Sequence, residues 1–220
     1  MRPQEIARHP AVDASGPELG DLRFRALLAE TEWGELSTAV RSRFSRRLAG
    51  GRTLVYVGEI LVTRISRLGW LLAQAARLIG APLPTHCDVH VPAVVSVTED
   101  MASGGQIWTR LYTRRNGFPQ VIHSSKRFAG PTGLEEHVGY GIGMALTVHV
   151  ERRALIFRSH HYFVQLFRMR LRLPSWLAPG ALSVAHAERD DDAFMFTLDV
   201  VHPAFGELIH QSGLFREIRT

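Results

Sequence analysis

Glu135, Glu136 and His137 place two carboxylates and an imidazole on successive residues between Leu134 and Val138. The apolar flanks predict a strand, whose side chains alternate between faces. Leu134, Glu136 and Val138 then share one face, with Glu135 and His137 on the other. A carboxylate on an apolar face has two fates. Lining a cavity, its pKa rises with burial and it becomes a usable acid or base. Otherwise it closes a salt bridge with one of the many arginines. Glu136 is the leading catalytic candidate on this argument, with Tyr112 and His210 as further polarising or acid–base groups. His149 and Glu151 pose the same question. Trp108, Tyr56 and Phe196, aromatic residues on predicted strands, are candidates for a ligand wall, with His149 beside them; a packed core is the plainer role for any one of them. Trp108 and Tyr112 share a face with Arg110, and an inward arginine needs a carboxylate partner, for which Glu136 is one candidate.

Other constellations fall short of a site. His86-Cys87-x-x-His90 has ligand-type residues close together, but no further pair completes the four positions of a zinc site, and no metal is expected. Gly139, Gly141 and Gly143 alternate through a segment that continues as a strand. A phosphate cradle needs glycines before a helix, so a sharp bend of the sheet is the expected role and no nucleotide is expected. His160 and His161 are adjacent on a strand and should point to opposite faces. Ser124, Ser125 and Lys126 lack the spacing of a Ser–Lys acyl enzyme, and no G-x-S-x-G elbow exists. No cofactor is implied.

The elements that position these residues are mostly strands. Phe194, Phe196, Leu198 and Val200 alternate with Met195, Thr197, Asp199 and Val201. Ile142 to Glu151 alternates likewise, and in both runs the second face is mixed rather than polar. Such a sheet must cover something with both faces, which points to a curved or closed sheet with an interior. Strands are expected at Thr53–Arg64, Asp88–Thr98, Gln106–Arg114, Gln120–Phe128, Leu134–Val138, Ile142–Glu151, Ala154–Phe163, Val164–Leu173, Leu182–Glu188, Ala193–His202 and Glu207–Ile218. Asp190, Asp191 and Asp192 make an expected hairpin tip. Short links predict up-and-down connectivity. Helical spacing appears at Leu22–Leu28, then after Trp33 through Leu36, Val40, Phe44 and Leu48. It returns from Ile65 to Gly80, where Ile65, Leu68, Leu71, Leu72, Ala75, Leu78 and Ile79 form one apolar face. The fold class is therefore mostly β (α+β): a single antiparallel barrel or strongly curved, calyx-like sheet, with N-terminal helices and one amphipathic helix between the first two strands. Residues 1–20 read as a loose tail and 21–220 as one domain.

Composition narrows the partners. The net charge is +5, with 26 basic and 21 acidic residues, but the arginines are scattered among carboxylates, so no nucleic acid is expected. The densest cluster, Arg41 to Arg52, is accounted for by a solvated helix face. One cysteine excludes an intrachain disulfide and fits a reducing cytoplasm. The most apolar stretch, Gly69 to Leu83, is too short to span a bilayer, so no integral membrane association is expected. A homodimer is compatible with the sequence.

Four phrases occur in order: GRTLVYVG at 51–58, LEEHVG at Leu134–Gly139, LPSWLAP at Leu173–Pro179 and HPAFGELIHQSG at His202–Gly213. Together they resemble a bacterial family catalogued as a domain of unknown function, number 4166, over Asp21 to Phe215. The resemblance supports a mostly-β single domain and brings no agreed activity. It also implies an aromatic residue where this chain has Gln211 and an arginine where it has His137.

The expected function is enclosure of a bulky, mostly apolar small molecule. The preferred form is a cofactor-independent cyclase or isomerase of a polyketide- or polyene-like substrate, whose chemistry needs shape, desolvation and a few hydrogen bonds. The alternatives are a non-catalytic carrier or sensor of a lipid-like ligand, and a module whose own helix fills the sheet and leaves no cavity.

Overall fold

The computed structural model describes residues 20–50, 52–80, 82–167, 169–189 and 193–218. The expected tail (but for Gly20) and the expected tip at Asp190, Asp191 and Asp192 lie outside the described residues. Three short helical segments come first: a 3-10 turn at Arg25–Leu27, α1 (Glu30–Glu35) and α2 (Thr38–Phe44). The strands are β1 (Thr53–Ile65), β2 (Val91–Asp100), β3 (Gly105–Tyr112), β4 (Gln120–Arg127), β5 (Glu135–Gly139), β6 (Ile142–Glu151), β7 (Ala154–Leu166), β8 (Met169–Arg172), β9 (Ala181–Glu188), β10 (Ala193–His202) and β11 (Gly206–Glu217). The helix α3 (Arg67–Ala76) lies between β1 and β2 and runs on into a 3-10 turn, Arg77–Ile79.

Every pairing is antiparallel, and β1 pairs with β11 to close the ring. The result is a closed ten-stranded up-and-down barrel with β8 as an extra strand. The first half of β7 pairs with β9 and its last four residues with β8, while β6 takes its other edge. The expected break between Phe163 and Val164 is absent. No turn former stands there, and Tyr162 and Val164 keep the same inward parity, so the strand continues to Leu166 and turns at Phe167. Between Tyr140 and Gly141 the chain reverses in two residues, both with positive φ (50° and 76°). A Cβ on Gly141 would stand 2.3 Å from the Gln165 carbonyl, so these glycines serve a tight hairpin.

The helices close one end and roof the other. The single helix expected after Trp33 is two, because the Ser37 hydroxyl accepts from the Val40 amide and starts a new one. Phe24 and Phe44 pack edge-on against each other and on Phe157, with Phe128 beside Phe24. This aromatic plug fills the barrel end away from α3. The arginine cluster is not the solvated face expected of it. Arg43 turns inward over the Phe194 ring at 3.8 Å and Arg46 pairs with Glu217, while Arg47 stays exposed.

At the other end α3 is seated by small residues. Gly69, Ala73 and Ala76 are buried at a spacing of four and three, and a Cβ on Gly69 would stand 2.0 Å from the Leu208 carbonyl. This contact sets the helix rotation. Leu72 and Ile79 face the interior, whereas Leu68, Leu71 and Leu78 of the expected apolar face project to solvent. The helix is apolar nearly all round, so periodicity alone does not choose its buried side. Among the described residues no helix is long and apolar enough to cross a membrane.

Candidate functional site

Under α3 the barrel keeps a cavity of about 310 Å³, within the usual range of ligand pockets, roughly 300–1,000 Å³. Leu72, Ala76 and Ile79 roof it from α3. Leu173, Leu177 and Pro179, in the loop after β8, close its side. Most of the wall is aliphatic, including Val138, Leu182, Leu198 and Val200. The polar groups gather on one side: Arg110 and Tyr112 from β3, Ser124 from β4 and Glu136 from β5, with Tyr162 and Gln211 elsewhere on the rim.

Period-two geometry and register build that polar wall. Lys126 pairs across to Glu136 on one side and Gln106 on the other. The Glu136 carboxylate lies 3.1 Å from Lys126 Nζ and 3.6 Å from an Arg110 amino group. Arg110 also donates to the Ser124 hydroxyl at 3.2 Å. Lys126 is wholly enclosed, its ammonium 5.1 Å from the Trp108 ring and 5.4 Å from Phe157. Burial alone would raise the Glu136 carboxyl, but the Lys126 and Arg110 charges and the Ser124 hydroxyl outweigh it and hold it down at about 2. Burial pulls Lys126 below the ordinary lysine range, against the pull of Glu136. One ionised carboxylate thus faces two basic side chains, Lys126 and Arg110. Burial also raises the Tyr112 phenol, against Arg110, so it stays protonated and able to donate.

The seven residues singled out from the sequence divide by position. Glu136, Tyr112 and Phe196 line the cavity. Trp108 is one layer deeper, against Lys126 and His186, and its indole N–H donates to Gln106 at 3.2 Å. Tyr56 is deeper still, edge-on to Phe194; neither touches the cavity. His210 and His149 stand on the outer face. His210 meets Asp199 at 2.6 Å and His149 meets Glu151 at 3.0 Å. The physical reason is strand parity: Ile209, Gln211 and Phe215 turn inward on β11, leaving His210 outside. His160 and His161 depart from expectation in the opposite sense. A bulge in β7 against β6 breaks the alternation there, and their Nδ1 atoms lie 2.9 Å apart on the outside.

The family model described as Domain of unknown function (DUF4166) matches residues 36–215. The chain belongs to that family. No curated protein and no solved structure matches it. Of the two departures from the DUF4166 pattern noted above, Gln211 faces the cavity and donates to Thr63 at 3.3 Å. His137 lies on the outer face beside Glu135 and the Phe163 ring. Only the first changes what a ligand would meet.

One group of metal-type ligands converges among the described residues: Asp199, Glu207 and His210, with ligand atoms within 4.8 Å of one another. It is a partly exposed cluster on the outer face. Both Glu207 oxygens already accept from Arg64 at 2.9 Å. His86, Cys87 and His90 do not converge; His86 bonds Thr85 and His90 faces Glu59.

Sequence reasoning missed His186. It alternates inward with Leu182 and Val184 on β9 and is 2% exposed, ringed by Phe44, Trp108, Phe157, Phe194 and Phe196. Its Nδ1 has no hydrogen-bond partner among the described residues. Burial first, then the charges of Arg43, Lys126 and Arg110, hold its imidazole well below the ordinary histidine value. The unfolded chain takes up this proton near pH 6.5 and the folded chain does not. Stability should therefore fall as pH drops below about 6.5, by about 1.4 kcal/mol per pH unit from this group, and not change above it. His186→Phe should flatten that slope in urea midpoints measured from about pH 7 to pH 5. Equal slopes in the two proteins would assign the acid sensitivity elsewhere.

Proposed function

We propose that the barrel encloses one bulky, mostly apolar small molecule and catalyses its cyclisation or isomerisation without a cofactor. The observation that carries this reading is an aliphatic cavity whose charged groups are confined to one wall, at Arg110 and Glu136. A ligand with an apolar body and a carbonyl head matches that division. The carbonyl oxygen would meet the Arg110 guanidinium and the protonated Tyr112. Both donate to an oxygen that gains negative charge as an adjacent C–H bond breaks, and a low-dielectric site strengthens such contacts. Cyclisation or isomerisation keeps every substrate atom: Glu136 takes a proton from one carbon, and the electron pair moves into the enolate. In cyclisation that pair forms a C–C bond to a second carbonyl carbon as its C=O π pair moves to oxygen, which takes the proton back; in isomerisation the proton returns to a different carbon. Glu136, ionised at neutral pH, is fitted to start as the base and return the proton it takes, or to hold Arg110, and not to start as the acid. Phe196 shapes the wall, with Trp108 and Tyr56 supporting it from below.

A second reading, a non-catalytic carrier or sensor of a lipid-like ligand, is favoured by one feature. A carboxyl held down at about 2 is a weak base, and simple binding needs none.

The test incubates the protein with linear polyketone and polyene carbonyl compounds and follows products of unchanged mass by chromatography. Turnover is expected, with Tyr112→Phe lowering kcat by about tenfold to a hundredfold, the scale of one lost oxyanion donor. Leu198→Trp, which fills the cavity, should abolish binding. If ligands bind and return unchanged, the protein is a carrier. If nothing apolar binds and Leu198→Trp changes nothing, the cavity is not a ligand site.

A further inference from the structure

Up-and-down connectivity sends alternate loops to the same end of a barrel. The β1–β2 link with α3, the turns β3–β4, β5–β6 and β10–β11, and the β7–β9 segment with β8 all emerge where the cavity lies. Six aromatic rings among the described residues are exposed: Trp70, Phe118, Tyr140, Phe167, Trp176 and Phe205. All six sit on those five connections, at least one on each. Phe118 and Phe167 are more than nine-tenths exposed, at 92% and 96%. Among the described residues the loops at the plugged end expose none. Packing does not explain residues so placed; single exposed apolar side chains are ordinary, but a group of them gathered at one end of the barrel marks an interaction surface.

Charge follows the same division. Among the described residues these connections carry Arg67, Arg77, Arg114, Arg115, Arg170 and Arg172, against one carboxylate, Asp88. The whole chain is far closer to balance, with 26 basic and 21 acidic residues. Arg170 is engaged with Glu135, and Arg115 donates its backbone amide to the Asp88 carboxylate and its guanidinium to the Val89 carbonyl, while Arg67, Arg77 and Arg172 are exposed. Aromatic rings and leucines set among arginines are the composition of surfaces that lie in the headgroup layer of a bilayer. We propose that the end of the barrel roofed by α3 docks on the surface of an anionic lipid bilayer, aromatic crown first, with the cavity beneath that roof on the lipid side. A second copy of this chain fits the same face less well, because a twofold contact would set the arginines of one crown against those of the other.

Docking is argued from the crown alone. Its use, exchange of an apolar occupant between lipid and cavity, rests on the proposed function above. The two are separable, since vesicle binding needs no ligand in the cavity.

The experiment sediments the full chain with vesicles of phosphatidylglycerol and phosphatidylcholine in equal parts, and with phosphatidylcholine alone. Binding is expected to the mixed vesicles, to weaken with added salt, and to shift tryptophan emission to the blue through Trp70 and Trp176. Phe167→Ser with Trp176→Ser should weaken binding on the order of tenfold, because affinity follows the apolar area inserted. Both side chains are exposed, so the melting temperature should hold. Met101→Ser, at the plugged end, and the cavity-filling Leu198→Trp should bind as the parent does. Failure to sediment with mixed vesicles at low salt overturns the proposal, as does equal binding to both vesicle types or an equal loss from Met101→Ser. A dimer in solution that the Phe167/Trp176 pair dissociates, with no vesicle binding, assigns the crown to self-association instead.

Discussion

Glu136→Gln should cost about 3 kcal/mol of folding stability. The substitution keeps the shape of the side chain and removes the one negative charge shared by Lys126 and Arg110, 3.1 and 3.6 Å away. Lys126 and Arg110 then lose their shared counter-charge inside the barrel. Removing one member of a buried pair leaves an uncompensated charge, which is far dearer than losing an exposed bridge. The double variant Glu136→Gln, Lys126→Met restores the parent's net interior charge and should recover more than half of the loss. Urea titration of the two variants checks this. A single variant within about 0.5 kcal/mol of the parent, the range of ordinary surface changes, would mean that water reaches the group and that Glu136 is free to take part in chemistry. The same carboxylate stabilises the fold above its unfolded value of 4.5, and that stability is lost as pH falls towards about 2.

Gly69→Ala should reverse the usual sign of a helix substitution. In an exposed helix interior, replacing glycine with alanine stabilises by about 1 kcal/mol. At Gly69 the added methyl would meet the Leu208 carbonyl oxygen at 2.0 Å and its carbon at 2.7 Å. Both are backbone atoms of the barrel, so α3 must move. Overpacking of this kind costs about 1–3 kcal/mol, and a net loss of about 1–2 kcal/mol is expected. Because α3 roofs the cavity, its displacement should also speed ligand exchange and raise hydrogen exchange at the amides of residues 67–79. A more stable Gly69→Ala protein with unchanged exchange would show that α3 is seated some other way.

Most of the barrel was legible because its signal is local. The alternation in β6 and β10 sets two faces, and short turns leave little choice of connectivity. The partnership of an inward arginine at 110 with a carboxylate at 136 followed from parity as well, since an inward arginine on β3 needs a counter-charge. Parity does not say which of two polar neighbours turns inward. His210 and Gln211 are adjacent and polar, and the choice between them is made by the pairing of β11 with β1 and the bulge near Ile60. Lys126 looks like a surface residue until Glu136 is seen beside it across the sheet. The bulge at His160 and the rotation of α3 depend in the same way on contacts distant in sequence, the second on a single close approach at Gly69.

Closure of the ring also governs how the chain must assemble. β1 finds its second neighbour only in β11: Tyr56 lies opposite Glu217, and Arg46 just before β1 pairs with that same glutamate. A chain emerging from the ribosome can build the meander hairpin by hairpin, but β1 keeps an open edge until the last strand arrives. Contacts so far apart in sequence make for slow folding, and an open edge is a template for pairing with other chains. Loss of the final strand would therefore do more than shorten the protein, since it would expose two complementary edges, on β1 and β10. In the finished barrel the short β8, with Arg170 and Arg172 along it and Pro174 just beyond, is the strand left at an edge among the described residues, and its brevity and charge are what keep such an edge from recruiting partners.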